Sequence, residues 1–169
     1  MSRSILLWIR DILIALIIAL IIMQLVKPTI VKMHSMENTL HPNDYIFLSK
    51  QAYTFGDASQ GDIVVFESSE SDENLIKRII GLPGDTVSIT DGNVFVNGVK
   101  LDEPYTKDGY TSGEMAEITV PEGSFFVLGD NRQSSKDSRE MSVGFVEKKQ
   151  IIGKAFFRLY PFNGFGVLK

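Results

Sequence analysis

The sequence predicts a mostly β protein, a folded-over antiparallel sheet or partly closed barrel, carried by one N-terminal transmembrane helix. An almost wholly apolar segment runs from Ile5 to Val26. After it come short segments rich in β-branched and aromatic residues, separated by turn residues. No segment after residue 28 has the apolar period of an amphipathic helix. The 169 residues suffice for one domain of ordinary size and its anchor.

The N-terminal segment predicts a retained membrane anchor, which we assign to residues 1–28. The alternative is a cleaved leader, because the charge-free run from Ile12 to Met23 has the length of the apolar region of such leaders. Against cleavage, the stretch from Gln24 to His34 offers no pair of small residues for a cleavage site. Two basic residues flank the apolar run on each side, so the positive-inside rule does not orient the anchor.

The remaining residues, 29–169, predict one β-rich domain. Pro28 is expected to end the helix, because proline disfavours the α conformation in the residue before it. Asp91-Gly92-Asn93 predicts a tight hairpin turn inside a small insertion around residues 86–122, because these residue types tolerate positive φ. The predicted strands are Thr29–Met33, Asp44–Leu48, Asp62–Phe66, Leu75–Ile80, Thr86–Thr90, Val94–Val96, Ser124–Leu128 and Ile151–Leu159.

Composition argues against several classes of function. The net charge is -4 and no cluster of basic and aromatic residues occurs, so we predict no nucleic-acid partner. The absence of cysteine removes thiol catalysis and zinc-thiolate sites, and two histidines make a histidine metal site unexpected. The acidic segment from Ser68 to Glu73 lacks the spacing of a calcium loop and predicts a solvated loop. We therefore predict no metal site.

Ser35 is the candidate nucleophile, because it lies in a polar loop a few residues after the anchor. A serine hydroxyl needs a neighbouring base to accept its proton. His34 is adjacent in sequence, and neighbouring side chains of an extended chain point to opposite faces. His41 lies in a turn with no supporting pattern. Neither histidine is therefore a good candidate for the base.

Lys77 is the better candidate for the base. It lies in the β-branched strand Leu75–Ile80, whose apolar neighbours indicate burial. Burial disfavours an ammonium, so the pKa of such a lysine can fall from ~10.4 towards ~7–8, where the amine acts as a general base. Strand periodicity alone leaves a solvated surface lysine open.

Four motifs follow one another along the chain. They are Ser35-Met36-x-x-Thr39-Leu40, Asp44-Tyr45, the nonapeptide Lys77-Arg78-Ile79-Ile80-Gly81-Leu82-Pro83-Gly84-Asp85, and Gly129-Asp130-Asn131-Arg132-x-x-Ser135-x-Asp137-Ser138-Arg139. Taken together in this order, they resemble the motifs of bacterial type I signal peptidases of the short, single-anchor kind typical of Gram-positive bacteria. The resemblance covers nearly the whole chain, including the anchor.

The resemblance implies a membrane-bound serine endopeptidase that removes signal peptides from exported preproteins, after small residues at positions -1 and -3. Its partners would be preproteins carrying signal peptides and the lipid bilayer, with no metal or cofactor. It also implies the cytoplasmic membrane of a bacterium as location. The N-terminus, within 1–28, would be a cytoplasmic stub, and the catalytic domain 29–169 would be extracytoplasmic.

The resemblance also assigns roles to residues. Ser35 matches the nucleophile and Lys77 the general base, while Ser135 matches a hydroxyl that hydrogen-bonds and orients the lysine amine. The supporting residues are a structural ion pair, Asp137 and Arg139, and two residues that shape the preceding turn, Asp130 and Asn131. Six apolar residues occupy positions that resemble the wall of a substrate pocket, although ordinary core packing is the alternative. They are Val31, Met33, Met36, Leu40, Leu75 and Ile76.

Two positions depart from the family pattern. Asn38 stands where the family usually has proline, and Met33 stands where some members have a serine or a small residue. Because of these departures, the alternative remains that the chain is a non-catalytic, membrane-tethered β module with a binding or regulatory role. A self-cleaving Ser/Lys repressor-type peptidase is disfavoured by the anchor and by the lack of a DNA-binding N-terminal domain. Intact Ser35, Lys77 and Ser135 favour the enzyme.

We expect Asn38→Pro to preserve or raise the rate of signal-peptide cleavage, because a proline restores a fixed φ in the loop after the nucleophile. The measurement is the cleavage rate of a preprotein with an Ala-x-Ala site, with Ser35→Ala as the blank. A large loss of activity in Asn38→Pro would show that Asn38 has a role of its own.

Overall fold

A computed structural model of the chain, which describes residues 3–68 and 73–168, begins with one long helix, α1, from Arg3–Leu25. Its segment Ile5–Leu25 is long and apolar enough to cross a membrane, by length and composition. Its apolar side chains are exposed. The predicted apolar helix is thus present, and its exposed surface suits a lipid environment.

The first strand follows the helix without a linker. β1 spans Val26–Ile30, so the helix ends at Leu25 and not at Pro28 as predicted. Pro28 lies inside β1, which is tolerated because β1 is an edge strand of its sheet, where a missing N–H can face outward. The Lys50 N–H donates to the Leu25 carbonyl at 2.9 Å and so joins the helix end to the sheet.

Twelve strands occur within the described residues. They are β1 Val26–Ile30, β2 Tyr45–Ser49, β3 Ile63–Glu67, β4 Asn74–Gly81, β5 Thr86–Thr90, β6 Asn93–Val96, β7 Val99–Lys100, β8 Met115–Thr119, β9 Ser124–Leu128, β10 Val146–Glu147, β11 Ile151–Tyr160 and β12 Gly166–Val167.

The strands form two antiparallel sheets. The larger has the order β1-β2-β11-β3-β4-β9-β10, with β12 paired to β11, and the smaller has the order β7-β6-β5-β8. The mostly β fold class is confirmed, but over the described residues neither sheet closes into a barrel, because each path ends in edge strands. The predicted hairpin turn is present, with positive φ at Asp91 and Gly92.

Two strands have the bounds that the sequence predicts, Thr86–Thr90 and Ser124–Leu128. The predicted strand Thr29–Met33 lies earlier, as β1, and residues 31–33 already belong to a loop. Four strands were not predicted: β7, β8, β10 and β12. Three of these have only two residues, and β8 is mostly exposed, so none carries a strong alternation of buried and exposed positions. Residues 69–72 of the predicted acidic loop lie outside the described residues.

The core consists of three groups of buried residues that position the site. The first contains Val31, Met36, Leu40 and Ile76 and lies beside the loop of Ser35. The second contains Leu75, with Met33 packed against it. The third joins the two sheets by packing residues of β4 and β9 against β5 and β6.

Candidate active site

Ser35 lies in a loop, residues 33–40, which we call the nucleophile loop. The Leu40 N–H donates to the Met36 carbonyl at 2.7 Å and closes a turn. From outside the loop, the Asn131 N–H donates to the Ser35 carbonyl at 3.0 Å, and the Asn131 side-chain amide donates to the His34 carbonyl at 3.1 Å. Ser35 is buried as a result, and its backbone is fixed by Asn131.

Gly129 lies where the nucleophile loop meets the segment that contains Ser135. A Cβ atom at Gly129 would lie 2.5 Å from the Ser35 carbonyl oxygen and would also clash with the Ser135 Oγ atom. Either contact would force backbone or side-chain atoms to move. Glycine is therefore required at position 129 for the two segments to meet.

Lys77 lies on β4, between β3 and β9, and only 1% of its surface is exposed. Its Nζ atom lies 2.8 Å from Ser35 Oγ, and Nζ donates to the Ile76 carbonyl at 3.0 Å. The structure thus brings together the two residues that the sequence nominates as nucleophile and base. The Ile76 carbonyl, which sequence reasoning did not identify, holds the amine.

Two carboxylates near this pair are each bound to an arginine. The buried Arg78 donates to both oxygens of Asp130, at 2.9 and 2.7 Å, and the Thr39 hydroxyl also donates to Asp130. The Arg139 Nε atom donates to Asp137 at 2.8 Å. Asp137 also accepts from the Gly129 N–H at 3.0 Å, so this ion pair holds the turn that contacts Ser35.

Ser135 lies next to Gly129, but its buried Oγ atom has no hydrogen-bond partner among the described residues. In particular, no bond from Ser135 to Lys77 occurs in this arrangement of the described residues. The role of Ser135 in orienting the lysine amine stays a prediction, and the Ile76 carbonyl is the group that contacts the amine.

A groove of about 390 Å³ opens beside Ser35. The residues predicted to line a substrate pocket divide into two groups. Val31, Met33, Met36 and Ile76 line the groove. Leu40 and Leu75 do not line it and pack in the hydrophobic core. One wall of the groove continues back along β1 towards the helix, through Lys27–Ile30.

Comparison with known proteins assigns the chain to a family. The sequence model of the family described as signal peptidase, peptidase S26, matches residues 5–160. The chain belongs to this family. Signal peptidase I of Bacillus licheniformis is 39% identical over 166 residues, which cover 92% of this chain and 89% of that protein. Signal peptidase I S of Bacillus subtilis is 40% identical over 173 residues, which cover 96% and 92%.

A solved structure of a related protein agrees with this assignment. The crystal structure of a signal peptidase I from Enterococcus faecalis is 37% identical and superposes with a TM-score of 0.51, covering 58% of this chain and 96% of that chain. The resemblance that the motifs predicted is therefore confirmed.

Two ion pairs near the site could not be predicted from any local sequence pattern. Glu37 contacts Lys107 at 2.8 Å, and Arg132 contacts Glu103, although these partners lie far apart in the chain. Only a pattern of covarying positions could have paired them from sequence. Among the described residues, no group of three or more His, Cys, Asp or Glu side chains could hold a metal ion.

Burial changes the proton affinity of Lys77. Desolvation lowers the pKa of its amine from 10.5 to about 8, although the nearby Asp137 and Asp130 carboxylates act in the opposite direction. A free amine at 2.8 Å from Ser35 Oγ can accept the hydroxyl proton. The arrangement would therefore allow a lysine amine to act as the base for a serine nucleophile.

We expect Lys77→Met to stabilise the fold while abolishing the base. The pKa of Lys77 is lower in the folded state than in the unfolded state, so at any pH below the folded pKa the buried ammonium makes folding less favourable. This cost disappears as the pH rises from about 8 to 10.5. At pH 7 the variant should gain on the order of 3 kcal/mol in free energy of unfolding, since one pKa unit corresponds to about 1.4 kcal/mol.

Chemical denaturation in detergent at pH 7 and at pH 10.5 measures this gain. Lys100→Met, at an exposed lysine of β7, is the matched control and should show no comparable change. A Lys77→Met variant that is less stable than wild type at pH 7 would contradict the burial argument.

Proposed function

We propose that this chain is a membrane-bound signal peptidase I, a serine endopeptidase that cleaves N-terminal signal peptides from exported preproteins. Ser35 is the nucleophile and Lys77 the general base. The observation that carries the proposal is the 2.8 Å separation of Lys77 Nζ and Ser35 Oγ inside a buried site. Membership of the peptidase S26 family supports the same conclusion.

The proposed reaction has two stages. The free amine of Lys77 accepts the Ser35 proton as Oγ attacks the carbonyl carbon of the scissile peptide bond. The Ser35 N–H stabilises the oxyanion, because a preorganised backbone donor strengthens as charge develops on the oxygen. The Lys77 ammonium then donates its proton to the leaving amine, which releases the mature protein. Water, with Lys77 again as base, cleaves the acyl-enzyme and frees the signal peptide.

The groove beside Ser35 supports recognition of an extended peptide. Such a peptide places alternate side chains on the same face, so the residues at -1 and -3 point into the groove together. The wall near Ser35 consists of the bulky apolar residues Val31, Met33, Met36 and Ile76, which leave room for small side chains. We propose that this restricts both positions to residues such as alanine.

The position of the groove suits a substrate held in the bilayer. Helix α1 ends at Leu25, and the groove wall begins two residues later, at Lys27. Exposed aromatic side chains on β2 and the C-terminal segment, Tyr45, Tyr160, Phe162 and Phe165, offer further contact with lipid. We propose an N-terminus in the cytoplasm, a single pass through the plasma membrane, and an extracytoplasmic domain 29–169 with its insertion at 86–122.

Cleavage of a preprotein with an Ala-x-Ala site by the detergent-solubilised full chain tests the proposal. We expect Ser35→Ala and Lys77→Ala each to lose roughly three or more orders of magnitude in kcat, as removal of a nucleophile or its base does in serine peptidases. Lys100→Ala serves as the control lysine and should retain wild-type activity. Inert wild-type protein would favour the non-catalytic β module, and cleavage by Ser35→Ala would eliminate the proposed mechanism.

The pH dependence gives a second test. The lysine acts as a base only when deprotonated, so kcat/KM should rise with pH and level off above a midpoint near the lowered Lys77 pKa of about 8. A midpoint near 10.5, the ordinary value for lysine, would show that Lys77 does not act as a buried base.

A further inference from the structure

The segment that joins β7 to β8, residues 101–114, contacts residues that surround the Ser35 and Lys77 pair. We call it the connecting segment. Its Glu103 contacts both terminal nitrogens of Arg132, and the Lys107 N–H donates to the Asp130 carbonyl at 3.0 Å. Tyr105 stacks with the Arg78 guanidinium, whose carbon lies 4.0 Å from the ring centre. The connecting segment therefore contacts both the turn at 129–139 and strand β4, in addition to the core packing that joins the two sheets.

A further contact runs from the connecting segment to the nucleophile loop itself. The Lys107 Nζ atom donates to one carboxylate oxygen of Glu37 at 2.8 Å, and His34 Nδ1 lies 2.6 Å from the other oxygen. The Lys107 hydrogen bond, followed by the His34 hydrogen bond, lowers the pKa of Glu37 to about 2. Glu37 is therefore ionised throughout the working pH range and can act as a permanent anchor for Lys107.

The position of Glu37 in the loop gives this contact its importance. Asn131 holds the backbone at residues 34 and 35, and the Thr39 hydroxyl is held by Asp130. Glu37 lies between these two anchors, two residues after Ser35. Its side chain is only 16% exposed, so the carboxylate is directed towards the protein and not freely into solvent.

We propose that Glu37 is a positioning residue, whose ion pair with Lys107 holds the nucleophile loop against the connecting segment and so fixes the placement of Ser35 relative to Lys77. The small sheet then contributes to catalysis as well as to folding. This inference rests on the proposed peptidase activity of the Ser35 and Lys77 pair.

The expected effect is on the chemical step and not on global stability. A displacement of about 1 Å in a reacting group can cost on the order of 10²-fold in rate. The Lys107 side chain is 42% exposed, so its pair with Glu37 lies at the surface, where an ion pair contributes little to the stability of a whole domain. Loss of the tether should therefore lower kcat while leaving KM and the melting temperature nearly unchanged.

The experiment compares Glu37→Gln, Lys107→Met and the double variant in the full chain. We expect each single variant to lose about 3- to 10-fold in kcat with KM changed less than about 2-fold. The double variant should lose no more than Glu37→Gln alone, because Glu37→Gln already removes the ion pair with Lys107 and also weakens the contact with His34. The charge-swapped pair Glu37→Lys with Lys107→Glu should recover most of the lost kcat. Lys149→Met, which removes the exposed pair with Glu147 at 2.7 Å, is the control and should retain wild-type kcat.

Three results would overturn the proposal: single variants with kcat within about 2-fold of wild type, strictly additive losses in the double variant, or a fall in melting temperature that parallels the fall in kcat. Hydrogen exchange of the amides of residues 36–40 supplies a measurement that needs no activity. Exchange should be faster in Glu37→Gln than in wild type and unchanged in Lys149→Met. Inert wild-type protein with faster exchange in Glu37→Gln would reject the proposed function alone, whereas unchanged exchange would reject the tether.

Discussion

The contact between the buried Lys77 amine and the Ser35 hydroxyl is the interaction on which the rest of the structure depends. A lysine amine acts as a base near neutral pH only where water cannot stabilise its ammonium form. This requires an interior strand, and β4 provides it between β3 and β9. The same burial requires a partner for the amine, and the Ile76 carbonyl and Ser35 hydroxyl are within hydrogen-bond distance of it.

The charged groups around Lys77 oppose the effect of burial on the pKa of its amine. Asp130 and Asp137 raise the proton affinity of Lys77, which would return the amine to its ammonium form if burial did not outweigh them. Each carboxylate is also bound to an arginine, Arg78 or Arg139, so its negative charge is partly satisfied elsewhere. These ion pairs serve a second purpose, because the same carboxylates hold the Thr39 hydroxyl and the Gly129 amide. One set of contacts therefore shapes the backbone around Ser35 and limits the field at Lys77.

The apolar helix and the groove beside Ser35 are joined through one strand. Strand β1 begins in the residue after α1 ends, and the groove beside Ser35 is lined by residues of that strand. Under the proposed function, a peptide held in the bilayer would need to extend only a short distance to reach Ser35. The small sheet lies on a different part of the site, where its connecting segment contacts the turn at 129–139 and the nucleophile loop.

The sequence by itself determined the features that depend on local pattern: the apolar helix, most of the strands and the hairpin at Gly92. It nominated Lys77 as a buried base but left a solvated surface lysine open, and the structure shows the burial. Its motifs also nominated Ser35 and Ser135. Tertiary structure alone decided that the helix ends at Leu25, that Ile76 and not Ser135 contacts the amine, and that Leu40 and Leu75 lie in the core. It also decided the pairing of Glu37 with Lys107. The physical reason is that periodicity reports which face of a strand is buried, whereas the partner across a site depends on how distant segments close on one another.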